Sequence, residues 1–305
     1  MKLVLFNDFV PGVIKGNHVI DISGVVKDIP HTTPQQLMSG LISDFGRRRD
    51  AIETIVSGTD GVPASEVRFR PPLPEPTRLV CMAGNYMEGG SLKIVSDRNA
   101  FLKSPSSVIG SGDAVVLPDV MAPHFHHEGE LAFVVGKTAN HVDAADAKDY
   151  IFGYTNFIDV SARGMEPNGS FSFFWQKSWD TFGPMGPWLV TADEIPNPQN
   201  LDVRLWVNGD IRQDLNTSDM GRTVEEVLEF ASWITTLQPG DVVSTGTNHI
   251  GLSPIQDGDS VDMEIQGLGR LTVSVQDDWK RTWPREPLSK MTAFESTARS
   301  KIQPR

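Results

Sequence analysis

Short β-type segments separated by turns dominate the sequence from residue 78 onward. They constrain the fold more than any other feature, because several alternate apolar and polar residues as half-buried strands do. One long helix is convincing in this part: Thr223 caps it, Glu226 completes a capping box, and Pro239-Gly240 ends it. Since crossover helices are scarce, the sequence predicts an α+β fold, predominantly β, with mostly antiparallel strands. The predicted strands are 78–83, 114–117, 129–135, 188–191, 202–207, 242–245, 260–265 and 270–275.

A proline-rich stretch divides the sequence into two parts. Residues 70–76 read Arg-Pro-Pro-Leu-Pro-Glu-Pro, and prolines remove backbone donors and fix φ, which argues against regular structure. We interpret this stretch as the connector between a small N-terminal module, residues 1–72, and a larger domain, residues 73–284. Residues 285–305 are polar and basic in places, which indicates a loose C-terminal tail.

The acidic net charge limits the kinds of molecule that this protein is expected to bind. The net charge is −12, whereas nucleic acids and anionic membranes are bound by clustered lysine and arginine. We therefore expect neither partner, although a locally positive pocket still allows an acidic small molecule. Cys81 is the only cysteine, so an internal disulfide is impossible and a reducing compartment is favoured. Together with the lack of an apolar run of membrane-spanning length, this predicts a cytoplasmic location.

Two glutamates begin one of the predicted strands. The run His-His-Glu-Gly-Glu at residues 126–130 leads into an apolar segment. Successive strand side chains point to opposite faces, so Glu128 and Glu130 lie on the same side. Two carboxylates this close repel each other unless a cation or a proton lies between them. The alternative is an exposed strand start with two solvated acids.

Two further segments place charged groups in apolar surroundings. A buried aspartate such as Asp159 is rare unless it is paired or binds a metal, and a salt bridge to Arg163 would explain it as well. Lys177 stands among aromatic residues, where its ammonium could simply extend to solvent. The Gly/Pro-rich residues 183–187 that follow predict a rigid turn. Residues 240–249 predict a strand running into a small polar turn suited to backbone donation toward an anion.

Together these segments resemble the fumarylacetoacetate hydrolase family over residues 78–275. Four runs carry the resemblance, in the family's order: Glu-x-Glu at 128–130, Asp-Val-Ser-Ala-Arg at 159–163, Lys-Ser-x-Asp-Thr-Phe-x-Pro-Met-Gly-Pro at 177–187 and Leu-x-Pro-Gly-Asp-Val-x-Ser-Thr-Gly-Thr at 237–247. Each run alone is a weak signal, but the four together are specific. The run 103–107, the run 207–209 and Gln213-Asp214 match further landmarks of the family.

The resemblance implies a mixed β-roll or sandwich with few helices, in which residues 73–284 form the catalytic domain, and usually a homodimer. It also implies a Mg²⁺ or Mn²⁺ ion held by three carboxylates that match Glu128, Glu130 and Asp159, with Ca²⁺ able to take its place in a crystal. An all-oxygen, anionic site independently suits these ions better than Zn²⁺ or copper. The other matching positions are catalytic Lys177 and Arg163, and substrate-binding Tyr86, Gly246 and Thr247.

The usual general base is missing from its matching position. Many family members carry Asn-Tyr-x-x-His-x-x-Glu, whose His and Glu act as a pair from a mobile lid. This chain has Gly89 and Leu92 at those two positions. We predict that His249, next to the anion-holding turn, supplies the base, with Glu88 or Glu166 assisting. Alternatively, the reaction needs no hydrolytic water, and the glycine simply keeps the lid flexible.

The sequence therefore predicts a divalent-metal-dependent hydrolase. Its substrate would be a small β-diketo acid, such as an acylpyruvate or fumarylpyruvate, cleaved at a C–C bond in aromatic or sugar-acid catabolism. The alternative is a metal-dependent keto–enol tautomerase, decarboxylase or dehydratase of a 2-oxo acid. A non-catalytic binding protein is a third interpretation. The retained basic and acidic side chains count against it, since unpaired buried charges destabilise a fold.

Overall fold

The computed structural model describes residues 1–165 and 170–286 of the 305-residue chain. Within these residues no helix is long and apolar enough to cross a membrane. The helices are α1 Ser23–Val26, α2 Pro34–Ser43, α3 Phe45–Gly58, α4 Phe173–Lys177 and α5 Val224–Ile234. The strands are β1 Lys2–Phe6, β2 Val10–Lys15, β3 His18–Asp21, β4 Val62–Pro63, β5 Phe69–Arg70, β6 Leu79–Ala83, β7 Asn99–Leu102, β8 Val108–Ile109, β9 Ala114–Val116, β10 His124–His126, β11 Gly129–Val135, β12 Ile151–Ile158, β13 Ser161–Arg163, β14 Gly183–Thr191, β15 Asp202–Val207, β16 Asp210–Asn216, β17 Val242–Ser244, β18 Pro254–Ile255, β19 Ser260–Ile265 and β20 Gly269–Gln276.

The strands form one large sheet and two smaller ones. The large sheet has the order β4-β3-β2-β1-β14-β12-β11-β17-β6-β7, with β5 against β1 and β8 against β14. The others have the orders β16-β15-β19-β20-β9 and β13-β10-β18. Among the described strands, three pairs are parallel, β8–β14, β6–β17 and β9–β20, and the rest are antiparallel. The predicted mixed, predominantly β fold is confirmed.

Both faces of the large sheet are buried around its central strand β11. Leu131 and Phe133 pack into an apolar cluster shared with the five-stranded sheet and α5. Ala132 and Val134 face a second cluster, which the residues of α2 and α3 complete. A slip of one residue would exchange the two faces, so this burial fixes the register of β11. It thereby fixes the position of Glu130, the second residue of the strand.

Helix α5 begins as the sequence predicts. The Thr223 hydroxyl accepts from the Glu226 N–H at 3.3 Å, and the Glu226 carboxylate accepts from the Thr223 N–H at 2.8 Å. This capping box satisfies two backbone donors at the start of the helix. The apolar stripe behind it, including Leu228, packs into the cluster between the sheets. The predicted cap is confirmed.

The N-terminal residues join the large sheet. Strand β1 pairs with β14, with Leu3 opposite Leu189. Helices α2 and α3 place Leu41 and Ile52 in the same apolar cluster as Val134. Residues 1–72 thus share a sheet and a core with the rest of the chain. The domain boundary at residue 72 stays a prediction.

The proline-rich connector and the start of the predicted tail both lie in irregular backbone. The proline-rich connector contains no strand after Arg70, the last residue of β5. At the start of the predicted loose tail, the Arg285 guanidinium donates to both carboxylate oxygens of Asp259 at 2.6 Å. Residues 287–305, most of that tail, lie outside the described residues.

Residues 183–187 form a strand, so the prediction of a rigid turn there is wrong. They begin β14, which lies between β1 and β12 in the large sheet. Phe157 lies opposite Met185 and Asn156 opposite Gly186, and the register shifts next to this pair. At the shift, the Asn156 amide donates to the Gly186 carbonyl at 2.8 Å. Pairing with neighbouring strands, which the local sequence does not reveal, outweighs the turn preference of Gly and Pro.

Candidate active site

Three carboxylates meet where β10, β11 and β12 come together. Glu128 lies between β10 and β11, Glu130 belongs to β11, and Asp159 directly follows β12. The pairing of β11 with β12 continues beyond the strand, because the Asp159 N–H donates to the Glu128 carbonyl at 2.8 Å. Each carboxylate offers an oxygen within 4.8 Å of the others, and all three side chains are buried. Strand pairing thus brings the three predicted ligands together.

Two of these carboxylates are paired with cations. Lys177 donates to Glu128 and, at 2.8 Å, to Asp159. Arg163 donates to Glu128, and Lys103 donates to Asp159 at 2.8 Å. Burial works to raise the pKa of Glu128, but the charges of Lys177 and Arg163 hold it at about 2. The alternative salt bridge between Asp159 and Arg163 is wrong, because each side chain has another partner.

Glu130 differs from the other two carboxylates. Its Oε2 accepts from the Ser244 hydroxyl and, at 3.1 Å, from the Gly246 N–H. In the part of the chain that the structure describes, no lysine or arginine forms an ion pair with it. Burial, with the adjacent charges of Asp159 and Glu128, raises the pKa of Glu130 well above its usual value. This carboxylate therefore needs a proton or a further cation.

The donor set fits a hard divalent cation. All the candidate ligand atoms are carboxylate oxygens, which suit Mg²⁺, Mn²⁺ and Ca²⁺ better than Zn²⁺ or copper. The Lys177 ammonium already contacts two of the three carboxylates, so part of their charge is balanced by the protein itself. The charge of Glu130 is not balanced in this way, and a divalent ion would neutralise it.

A cavity of about 70 Å³ opens beside the carboxylates. Glu128 and Glu130 form part of one side, together with Arg163 and Lys177. Burial opposes the charge of Lys177, but Asp159 and Glu128 raise its pKa, which keeps the ammonium protonated. The cavity is therefore polar and charged on this side. Its other lining residues are Met82, Ala83, Gly84, Phe101, Phe171, Phe173, Gln176, Thr247 and His249.

The predicted base His249 lies on this cavity, and Glu88 binds it. Glu88 Oε1 lies 2.5 Å from the ring Nδ1 of His249, and Glu88 Oε2 accepts the backbone N–H of His249 at 2.8 Å. The imidazole is partly exposed, with 41% of the side chain accessible. Glu166, the other predicted assistant, lies outside the described residues. The structure thus brings Glu88 and His249 together at the cavity.

The predicted substrate-binding residues are placed differently from one another. Thr247 lines the cavity, and its hydroxyl donates to the Gly129 carbonyl at 2.8 Å. The Gly246 N–H is directed at Glu130, so it is already engaged. Tyr86 is buried and is not among the residues that line the cavity. Burial raises the pKa of its phenol, which therefore stays protonated.

Three supporting residues were not predicted to have a role at the site. Lys103 is buried against Asp159, and Ser244 donates to Glu130. Gln213 accepts from the Gly129 N–H at 3.0 Å and donates to the Thr247 hydroxyl at 2.9 Å. The available signal for Gln213 was its position in a family landmark within a strand. Lys103 likewise begins the family landmark at 103–107, but no local pattern distinguishes a buried lysine from an exposed one.

Comparison with known proteins places these features in one family. The family model described as "Fumarylacetoacetate (FAA) hydrolase C-terminal" matches residues 80–276. A maleylpyruvate hydrolase of Aquipseudomonas alcaligenes is 33% identical over 292 residues, covering 90% of this chain and 99% of that protein. An oxaloacetate tautomerase of Bacillus subtilis is 36% identical over 220 residues, covering 68% of this chain and 73% of that protein.

Solved structures agree with these relatives. A maleylpyruvate hydrolase from Sphingobium sp. SYK-6, in complex with a manganese(II) ion and pyruvate, superposes with a TM-score of 0.82 at 37% identity. The match covers 91% of this chain and 99% of the other. The likeness extends over nearly the whole of both proteins. The resemblance that the four sequence runs indicated is thereby confirmed, and the chain belongs to the fumarylacetoacetate hydrolase family.

Proposed function

We propose that this protein is a divalent-metal-dependent hydrolase that cleaves a C–C bond in a small acylpyruvate-type β-diketo acid. The observation that carries the proposal is the buried carboxylate trio beside a cavity, in which Glu130 is left without a cationic partner among the described residues. The maleylpyruvate hydrolases that match nearly the whole chain support it.

The reaction adds one water across the bond between the acyl carbon and the neighbouring methylene. The water oxygen bonds to the acyl carbon, the C–C bond breaks, and its electron pair stays with the pyruvate fragment as an enolate. That enolate takes up a proton at its terminal carbon to give pyruvate, and the new carboxylic acid ionises. The pyruvate held by the manganese complex of a relative fits this product.

Glu128, Glu130 and Asp159 are the proposed ligands of the ion, for which we propose Mg²⁺ or Mn²⁺. When bound, such an ion would polarise the substrate's keto oxygen and stabilise the negative charge of the enolate. Lys177 is the second positive group, since its ammonium lines the cavity and stays protonated. Arg163, on the same side of the cavity, is proposed to orient the substrate carboxylate.

The polar turn after β17 would serve both the ion and the substrate. Thr247 lines the cavity, so its hydroxyl is the proposed substrate contact. The Gly246 N–H donates to Glu130, so its main proposed role is to hold this ligand of the ion in place. Tyr86 remains a proposed substrate-binding residue, although its side chain is buried and is not among the residues that line the cavity.

His249 is the proposed general base. Of the titratable side chains on the cavity, Glu128 and Glu130 are proposed ligands, and Lys177 and Arg163 are cations. The His249 imidazole remains as the group that can take a proton from water and return it later. Glu88 would hold its ring in place. Substitution His249→Ala that kept full turnover would contradict this role.

Keto–enol tautomerisation of a 2-oxo acid is the second candidate function. Two relatives support it, the oxaloacetate tautomerase of Bacillus subtilis and a mitochondrial one of Rattus norvegicus at 33% identity. This reaction moves a proton without adding water, so it would use the same ion and the same base. Decarboxylation or dehydration of a related acid would likewise need the enolate to be stabilised.

A substrate panel separates these functions. The enzyme is incubated with acylpyruvates, oxaloacetate and 2-oxo-3-deoxy sugar acids, each with Mg²⁺, Mn²⁺ or EDTA. Loss of the diketone absorbance with release of pyruvate and an acid, abolished by EDTA, is the expected result. Enol decay without cleavage would favour the tautomerase, and CO₂ release a decarboxylase. Binding without turnover of any compound would favour a non-catalytic protein.

A homodimer is also proposed for this protein. Eight large apolar side chains of the described residues are more than half exposed, and the surface of a second copy would cover some of them. They are Ile94, Leu102, Met121, Phe171, Phe174, Trp233, Ile234 and Ile250. Light scattering at micromolar concentration should give twice the chain mass of 33.5 kDa. A single chain mass would contradict the proposal.

A further inference from the structure

Three separate segments of the chain are joined by hydrogen bonds beside the cavity. They are residues 85–90, 217–222 and 245–250. The buried Asn85 amide donates to the Thr245 carbonyl at 3.0 Å, and its Oδ1 accepts from the Arg222 N–H at 3.1 Å. The Met87 N–H donates to the Asp219 carbonyl at 2.9 Å. The first segment is thus fixed to the other two just before Glu88.

The carboxylate of Asp219 completes this attachment on the other side of Glu88. Its Oδ2 accepts from the Asn248 side-chain amide at 2.6 Å and from the Gly89 N–H at 3.1 Å. A single oxygen therefore connects residue 89 to residue 248. These are the immediate chain neighbours of Glu88 and His249.

The charge of the Asp219 carboxylate strengthens its hydrogen bonds to Gly89 and Asn248. Within residues 1–165 and 170–286 it forms no ion pair, so N–H donors are what satisfy its carboxylate. Hydrogen bonds to a charged acceptor are about twice as strong as those between neutral groups. The arrangement therefore holds two segments more firmly than a neutral side chain at position 219 would.

The backbone around Glu88 needs such support. Glu88 has a φ of 53° and Gly89 a φ of 63°, in the left-handed region. A residue with a side chain adopts this region rarely, and it persists where the surroundings impose it. The conformation directs the Glu88 carboxylate at His249, which it contacts through both the ring Nδ1 and the backbone N–H.

This contact determines which ring nitrogen carries the hydrogen. An ionised carboxylate can only accept, so in the neutral ring Nδ1 of His249 is the donor to Glu88 and Nε2 keeps its lone pair. A base needs that free lone pair. Without Glu88 in place, the ring could equally carry its hydrogen on Nε2, where it could not take a proton from water.

We propose that Asp219 is a positioning residue that holds Glu88 against His249 and thereby keeps the His249 ring in its Nδ1–H form. This rests on the proposed function and extends it to a residue that does not line the cavity. In the hydrolysis, Nε2 takes a proton from water as the oxygen bonds to the acyl carbon. It returns that proton to the enolate carbon after the C–C bond has broken, so the ring ends unchanged.

The ring tautomer tests the proposal without substrate or metal. Long-range ¹H–¹⁵N correlation NMR at pH 8 distinguishes the two neutral forms, and His249→Gln identifies the signals of His249. The wild-type protein should show Nδ1–H alone, and Asp219→Ala should show a mixture or mainly Nε2–H. Asp214→Ala is the matched control, because Asp214 pairs with Arg204 on an exposed part of β16. A pure Nδ1–H form in Asp219→Ala would overturn the proposal.

Turnover gives a second readout. We expect kcat of Asp219→Ala to fall on the order of 10- to 100-fold with KM little changed, since a misplaced base slows the chemical step. Asp219→Asn keeps an oxygen acceptor, so it should lie between Asp219→Ala and wild type, and it replaces Asp219→Ala if that variant does not fold. Equal kcat values for Asp219→Ala and Asp214→Ala would contradict the role.

The two readouts separate this inference from the proposed function. A wild-type enzyme that cleaves no acylpyruvate would overturn the proposed function, while the tautomer of His249 would still decide the role of Asp219. If the wild-type enzyme cleaves the substrate but Asp219→Ala leaves the tautomer of His249 unchanged, this inference alone would be overturned.

Discussion

Lys103 and Asp159 form an ion pair in the interior of the protein, with 2.8 Å between the ammonium nitrogen and Oδ1. Both side chains are almost completely buried. The same ammonium also donates to the main-chain carbonyl of Lys177. Lys103 therefore holds the proposed metal ligand Asp159 in place. It also holds the backbone of Lys177, whose ammonium contacts both Asp159 and Glu128.

Substitution Lys103→Met should destabilise the fold strongly. It leaves a carboxylate of the buried cluster without one of its cations, and such losses cost about 3–5 kcal/mol. Urea unfolding with EDTA present measures the change. Lys148→Met is the control: its side chain is 75% exposed and pairs with Glu225 at 3.5 Å, so about 1 kcal/mol or less is expected. Equal unfolding midpoints would show that the Lys103 pair contributes little.

The buried His127 should make stability depend on pH. Burial lowers its pKa to about 4, whereas an unfolded histidine titrates near 6.5. Between these values the unfolded chain binds the proton and the folded chain does not, so stability falls as pH is lowered from about 6.5 to about 4. The expected loss is about 3 kcal/mol, from roughly 1.4 kcal/mol per pH unit.

A variant isolates this contribution from other titrating groups. His127→Gln should remove it, so the stability difference between wild type and variant should shrink as pH falls through this window. His18→Gln, which replaces an exposed histidine in β3, is the matched control for the substitution. If the difference in unfolding free energy between wild type and His127→Gln is the same at every pH, the assignment is refuted.

Two adjacent glycines provide a paired test of the backbone beside Glu88. Both have positive φ, but a Cβ on Gly89 would lie 3.1 Å from Ile250, whereas one on Gly90 meets nothing within 4 Å. Each alanine substitution should cost about 1 kcal/mol through φ. Gly89→Ala would also press on the Ile250 side chain next to His249, so its kcat should lie below that of Gly90→Ala. Equal kcat values would mean that this contact does not reach the pair formed by Glu88 and His249.

The sequence predicted the strand that carries Glu130 at its observed bounds, 129–135. The prediction succeeded because a strand's alternating side chains and the apolar residues that follow Glu130 can be seen in the local sequence. The pair of glutamates on one face is also a local property, and the family resemblance supplied Asp159. The turn expected at residues 183–187 failed because β14 is held by its neighbours in the sheet.

The partners of the cluster could not be read from the sequence for a similar reason. Lys103 follows β7 and Lys177 ends α4, and only the packing of these elements brings both ammonium groups to Asp159. Likewise, nothing near Asp219 in the sequence points to Gly89, 130 positions away. The identity of the ion, a homodimer and a cytoplasmic location stay predictions.

Binding of Mn²⁺ tests the central claim most directly. Electron paramagnetic resonance, which detects free Mn²⁺, is used to titrate the wild-type protein after treatment with EDTA. We predict one ion per chain for the wild type and loss of that site in Glu130→Gln, with Glu264→Gln, an exposed glutamate paired with Arg270, retaining it. A wild-type protein that binds no ion, or a Glu130→Gln variant that binds it equally well, would contradict the claim.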